Sequence, residues 1–201
     1  MRFDLKGVDP EIAYGLLSSA IVPRPIAWVS TVGEDGVFNL APFSFFAPVC
    51  SHPPMVGISI SERDGEKKDT LRNIEATREF VVNVVPESLA RQMNQTSAEY
   101  PSYVDEFVEA GLTPEPSALV RPPRVKESPI KMECRLVQVL ELGVAPRRSS
   151  FVIGEVAFFE VDDSLLIGEK IDVRRVHLVG RLTGSLYCSI ANVYSMERPL
   201  Q

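Results

Sequence analysis

Residues 23–46 read Pro23-Arg24-Pro25-Ile26-Ala27-Trp28-Val29-Ser30-Thr31-Val32-Gly33-Glu34-Asp35-Gly36-Val37-Phe38-Asn39-Leu40-Ala41-Pro42-Phe43-Ser44-Phe45-Phe46. The prolines around Arg24 hold the chain extended. Ile26 to Val32 is a β-rich run, with Trp28, Val29 and Thr31 suited to a pleated, half-buried surface. Gly33 to Gly36 is a turn whose Asp-Gly pair is a strong hairpin signal. Val37 to Ala41 is then the partner strand. A hairpin made this early, followed at once by aromatic residues and proline, points to a β-based core.

Outward from this hairpin the pattern stays β-dominated. Met55 to Ser61, Phe80 to Val85, Lys131 to Leu142 and Phe151 to Val161 read as strands, with a short one at Leu165 to Ile167. In Lys131 to Leu142, Met132, Cys134 and Leu136 are expected inside, with Glu133 and Arg135 outside. Asp9 to Ala20 reads as a helix capped by Asp9, with Pro10 in its first position. Asp69 to Arg78 is a second helix, and Pro86 to Gln95 and Tyr103 to Ala110 are short ones, the last stopped by Gly111. Pro42 to Pro54 is too broken by proline for a regular element and too apolar for a solvated loop, so it must pack on core or ligand. Glu62 to Lys68 is a charged loop. Thr113 to Pro129 is a proline-rich surface excursion. In Leu178 to Tyr187, Gly180 and Gly184 mark bends or close approaches. Strands outnumber helices without βαβ alternation, so the expected fold is mainly β with helical decorations, a barrel built as one domain over 1–201.

The joint run of Pro23 to Thr31, Gly33 to Gly36 and Asn39 to Phe46, followed by Pro53-Pro54-Met55-Val56 and Lys68-Asp69-Thr70-Leu71-Arg72-Asn73-Ile74, resembles the flavin reductase-like, FMN-binding split-barrel family, in particular its flavoprotein-oxygenase-like branch. The likeness covers residues 20 to 85, is weaker at Ile153-Gly154-Glu155-Val156, and returns at Gly180 to Gly184, Tyr187 and Met196 to Pro199. The resemblance implies a Greek-key split β-barrel that pairs as a homodimer, with FMN near the subunit interface. It implies flavin contacts from Arg24, Ser30, Thr31, Asn39, Ala41, Pro42, Phe43, Ser44 and Phe45, and phosphate contacts from Lys68, Asp69 and Thr70.

The chemistry of those residues suits FMN. Its flat ring needs apolar contact plus polar groups for one edge. Pro42, Phe43, Phe45 and Phe46 offer the first, and Asn39, Thr31 and Ser44 the second. The phosphate needs cations or N–H donors. Lys68 precedes a helix start whose free amides favour anions, and the Thr70 hydroxyl and Arg24 add donors. Asp69 is expected to cap the helix and offer only its backbone. With no second recognisable phosphate or adenine site, FMN is favoured over FAD.

One departure bears on activity. In the dedicated NAD(P)H:flavin reductases that this chain resembles, a histidine five residues before the glycine equivalent to Gly154 lies beside the nicotinamide. Here Ser149 holds that place, within Arg147-Arg148-Ser149-Ser150-Phe151, which implies slow turnover of NADH or NADPH. Three readings stay open: an FMN-dependent oxidoreductase serving an unidentified acceptor, a flavin carrier or storage module, and a pyridoxamine-phosphate-oxidase-like enzyme. The last needs a second basic cluster, for which Arg147, Arg148, Arg174 and Arg175 are the candidates.

Composition sets outer bounds. The net charge of −6 gives no basic excess to hold nucleic acid or an anionic membrane. No apolar run approaches the roughly 18 residues of a membrane span, and the first residues lack a signal core, so a cytoplasmic location is expected. Three cysteines without CxxC predict buried thiols and neither disulfide nor zinc. His52 and His177 form no HExxH, so no metal site is expected, and GxSxG is absent.

Overall fold

The computed structural model describes residues 1–145, 147–190 and 192–199. Strand β1 (Ala27–Val32) is buried along its whole length. A strand alternates its side chains between two faces, so β1 must be covered on both. Ala27 and Val29 enter one apolar core, while Trp28 enters another, where its indole N–H donates to the Thr96 hydroxyl at 2.8 Å.

Seven antiparallel strands form the main sheet. After β1 come β2 (Phe38–Phe43), β3 (Phe46–Ser51), β4 (Pro54–Ser61), β5 (Glu79–Val84), β6 (Ile130–Leu142) and β7 (Ser149–Val161), and their order across the sheet is β2-β1-β5-β6-β7-β4-β3. The two edge strands β2 and β3 are joined only by Ser44 and Phe45. Two residues cannot span a flat seven-stranded sheet whose strands lie about 4.8 Å apart. The sheet therefore curls until its edges meet, with Ser59 N–H bonded to Phe45 C=O at 2.8 Å near the seam. The result is a barrel with no ladder across that seam. Its interior holds Val56, Ile58, Ile74, Phe80, Val82, Met132 and Val152. Gly154 is required there, because a Cβ would lie 2.3 Å from the Phe80 ring.

Helix α1 (Pro10–Ala20) precedes the barrel, with Asp9 as its N-cap. Helix α2 (Asp69–Thr77) follows β4, and Leu71 and Ile74 anchor it in the inner core. The second core lies outside the barrel, beneath α3 (Ala90–Gln95) and α4 (Glu106–Glu109), where Phe107 and Met93 meet Trp28 and Leu40. A later helix, α5 (Val173–Val176), leads to the small strands β8 (Val179–Arg181) and β9 (Tyr187–Ser189). The close approach expected at Gly180 is present: a Cβ there would sit 2.8 Å from Pro23.

Three expectations change. Pro42 to Pro54 is not irregular, since β2 runs to Phe43 and β3 occupies Phe46–Ser51. Pro42 and Pro48 are tolerated because both strands are sheet edges, where a missing N–H interrupts no ladder, and Pro54 is the first residue of β4. Glu133 does point away from the barrel interior, yet it is fully buried. The cause is the segment 113–129, which lies across the outer face of the sheet instead of standing off as a surface excursion. The Glu133 carboxylate accepts the N–H groups of Ala118 and Leu119 at 2.7 and 2.6 Å, Asn83 Oδ1 accepts Val125 N–H at 2.8 Å, and Val125 is fully buried. A proline-rich chain has few amides for a ladder, and the sheet's side chains receive those it has. The fourth expected helix, Tyr103 to Ala110, shrinks to the single turn of α4.

Candidate functional site

A cavity of about 450 Å³ opens where β2, the 62–68 loop, α2, α4 and the small β8–β9 sheet converge. The β2 edge supplies Asn39, Ala41, Pro42 and Phe43, followed by Ser44. The start of α2 supplies Lys68, Asp69 and Thr70, and Arg24 completes the residues named from sequence. Phe45 lies on the other side of Ser44, in a smaller apolar pocket with Leu17 and Ile21. Ser30 and Thr31 do not line the cavity. The Ser30 hydroxyl donates to Pro123 C=O and that of Thr31 to Asn39 Oδ1, and both residues are fully buried.

Asn39 is the hub of a buried polar network. Its Oδ1 accepts the hydroxyls of Thr70 at 2.8 Å and Thr31 at 3.3 Å, and its Nδ2 donates to Glu106 Oε1 at 2.8 Å. Asn73 Nδ2 donates in turn to the Thr31 hydroxyl at 3.1 Å. Glu106 Oε2 accepts Leu40 N–H at 3.0 Å. Glu106 has no cation beside it among the described residues, and burial pushes its carboxyl above the usual range. The hydrogen bonds from Leu40 and Asn39 oppose that rise, and the nearby Asp69 charge adds to it. Glu106 was missed in the sequence because nothing local ties it to Asn39, 67 residues away.

The cations divide into two sets. Arg63 pairs with Glu99 at 3.0 Å, Lys67 with Glu75 at 2.8 Å, and Arg72 with Asp69. Lys68 makes no ion pair among the described residues. Its ammonium lies 5.8 Å from the Phe43 ring centroid, and burial, reinforced by the Arg63 charge and opposed by Glu99, holds its pKa below the usual lysine value. Lys68 is also the N-cap position of α2 and makes no side-chain cap bond. The first backbone bond of the helix is Arg72 N–H to Lys68 C=O. The amides of Asp69, Thr70 and Leu71 therefore remain without helical partners, as at any helix start.

Two donor roles expected from sequence are altered by these contacts. Asp69 does not cap α2; its carboxylate pairs with Arg72. Arg24 is buried, and its guanidinium donates to the carbonyls of Ser18, Ile21 and Leu182 and to the Ser44 hydroxyl. It therefore ties α1 to the β8 sheet and leaves a positive charge, with few free donors, at the cavity wall. The Thr70 hydroxyl hydrogen is likewise engaged by Asn39, so the backbone at this helix start is the better anion donor.

The basic residues around Ser149 are placed elsewhere. Ser149 begins β7 and its hydroxyl meets that of Ser61 at 3.0 Å. Arg147 pairs with Glu11, Arg148 with Glu62, and Arg175 with Asp172. None of these four residues, nor Arg174, lines the cavity.

Residues 18–174 match the flavin reductase like domain. The chain belongs to this family. It is 42% identical over 193 residues to an uncharacterized protein of Aquifex aeolicus, covering 93% of this chain and 94% of the relative. Its fold is similar to that of nitrilotriacetate monooxygenase component B from Bacillus cereus, with a TM-score of 0.95 and 33% identity over 98% of each chain. It is also similar to a split barrel domain protein of Shewanella frigidimarina, with a TM-score of 0.86 and 27% identity over 99% of this chain and 100% of that one. The fold of this flavin reductase-like chain is thus mainly β and of the split-barrel type. No helix among the described residues is long and apolar enough to cross a membrane, and these residues hold no cluster of metal-ligating side chains.

Proposed function

We propose that the 450 Å³ cavity binds FMN and that the chain, acting as one domain, is an FMN-dependent oxidoreductase serving an acceptor still to be identified. The observation that carries this is a single juxtaposition. An ammonium without a carboxylate partner among the described residues, Lys68, stands at a helix start with free amides, 5.8 Å from the ring centroid of Phe43 in the apolar wall that Pro42 shares. A phosphate fits the first part and a flat ring the second. FMN supplies two-electron redox chemistry when bound. The protein residues bind, orient and exclude water: Lys68 and the α2 amides hold the phosphate, Pro42 and Phe43 flank the ring, and the Asn39–Glu106 network fixes the wall between them.

The proposal includes a homodimer. Helix α1 buries only Ser18 and leaves Ile12, Leu16 and Leu17 exposed, and β3 is exposed at five successive positions, Val49 among them. Apolar exposure on this scale favours burial against a second copy.

A second reading, a flavin carrier without catalysis, is favoured by Glu106, the buried carboxyl of the cavity wall, both of whose oxygens already accept hydrogen bonds. The absorption spectrum of the purified protein, recorded under argon before and after NADH or NADPH, separates the two. A flavin spectrum that bleaches with either donor and returns with an added acceptor supports the oxidoreductase. A flavin that only dithionite reduces supports the carrier, and a protein that stays colourless after FMN reconstitution excludes both.

A further inference from the structure

The buried network around Asn39 has a direction that follows from its two ends. An ionised carboxylate only accepts hydrogen bonds. Glu106 Oε2 takes the N–H of Leu40 at 3.0 Å, so Oε1, at 2.8 Å, must face the amide nitrogen of Asn39 and not its oxygen. That turns Asn39 Oδ1 the other way, toward the hydroxyls of Thr70 at 2.8 Å and Thr31 at 3.3 Å. A hydroxyl has one hydrogen to give and two lone pairs to offer. Thr70 spends its hydrogen on Asn39. Asn39, Thr70 and Glu106 all line the cavity and are buried, so what the Thr70 hydroxyl has left for a ligand is lone pairs.

A phosphate is the wrong partner for those lone pairs. Near neutral pH a phosphate monoester is mostly a dianion, an acceptor with no hydrogen to give. Thr70 is in the first turn of α2, directly after Lys68 and Asp69, yet its hydroxyl adds no donor there. We infer that Glu106 is a positioning residue that sets the hydrogen-bond polarity of this wall: through Asn39 it withholds the Thr70 hydrogen and lowers the cavity's preference for a phosphorylated ligand. This rests on the FMN reading of the cavity. It makes Glu106→Gln a reversing substitution. Leu40 lies on the edge strand β2 and its backbone N–H cannot turn, so the one oxygen of the glutamine must stay on it. The glutamine NH2 then faces Asn39, which turns over to offer Oδ1. The Asn39 NH2 now points at Thr70, and the Thr70 hydrogen is released toward the cavity.

Calorimetric titration of flavin-free protein with FMN and with riboflavin, at about pH 8, well above the usual carboxyl range, reads the preference for FMN. Wild type, Glu106→Gln, Thr70→Val and the double variant form a cycle. Glu106→Gln raises the preference for FMN over riboflavin by about tenfold, the order expected for one hydrogen bond gained by a charged group. Thr70→Val weakens FMN and riboflavin alike, because its hydroxyl serves Asn39 and not the phosphate. In the double variant the gain disappears. A preference unchanged or reduced in Glu106→Gln overturns the inference. So does a gain that survives in the double variant, since it then comes from the removed charge alone. Should Glu106→Gln fail to fold, Thr70→Val decides by itself: equal losses for the two flavins support the inference, and a loss confined to FMN shows that the Thr70 hydrogen already reaches the phosphate and overturns it. Wild type that binds neither flavin, or both equally, refutes the FMN reading and the inference with it. Wild type that prefers FMN while the variants give any of the contrary results refutes the inference alone.

Discussion

Truncating Glu106 to alanine tests the polar network that shapes the cavity. The side chain accepts two hydrogen bonds, from Asn39 Nδ2 and Leu40 N–H. Alanine leaves both donors without a partner, at about 1–3 kcal/mol each if they stay dry. Water entering from the cavity recovers part of this, and a buried carboxylate without a cation is itself unfavourable. The expected net loss is about 2–4 kcal/mol, which for a chain of this size lowers Tm by roughly 4–16 °C. Glu106→Gln keeps the volume and one acceptor, so it loses less at neutral pH. It also has a pH signature. Burial raises the folded-state pKa of Glu106, so above the usual glutamate range the native state holds a proton that the unfolded chain has released. Stability therefore falls as pH rises from that range through the raised pKa, and Glu106→Gln removes this fall. Calorimetric melts of wild type and both variants across pH 4–8 provide the readout, a window of about this width being where a raised carboxyl titrates. A Tm for Glu106→Ala within about 2 °C of wild type, or an unchanged pH slope in Glu106→Gln, would refute the reasoning.

Other outcomes follow from the same geometry. FMN affinity should decline with alkaline pH earlier than for an ordinary lysine, because the phosphate dianion binds the protonated Lys68 and its pKa is lowered; fluorescence titrations from neutral to alkaline pH check this, and a flat profile contradicts it. Glu133→Ala should cost about 2–4 kcal/mol, since it leaves two part-buried amides without their acceptor and removes one of the three carboxylates around Arg124. Limited proteolysis should then cut within 113–129 first, and a resistant segment would show that other contacts hold it.

Much of the barrel was legible because its strands carry strong local signals. The Asp35-Gly36 turn, the β-rich run around Trp28 and the alternation of Met132, Cys134 and Leu136 all agree with their final setting. What escaped was decided by distant partners. Glu133 reads as solvent-facing until segment 113–129 is laid over it, and Pro48 reads as a breaker until β3 is known to be an edge. In the cavity, residue type indicated which side chains gather there but not where their donors point. Thr70 and Arg24 were expected to offer hydrogens to a phosphate, whereas Asn39 and three backbone carbonyls receive them.

The central claim is that Lys68 and the start of α2 form a phosphate site for FMN. Calorimetric titration of flavin-free protein with FMN and with riboflavin, in wild type and Lys68→Met, tests it most directly. The account predicts that wild type prefers FMN, and that Lys68→Met weakens FMN by about 1.5–3 kcal/mol, the range for a hydrogen bond to a charged group, while riboflavin binding is unchanged. Equal losses for FMN and riboflavin, or no FMN binding by wild type, would contradict it.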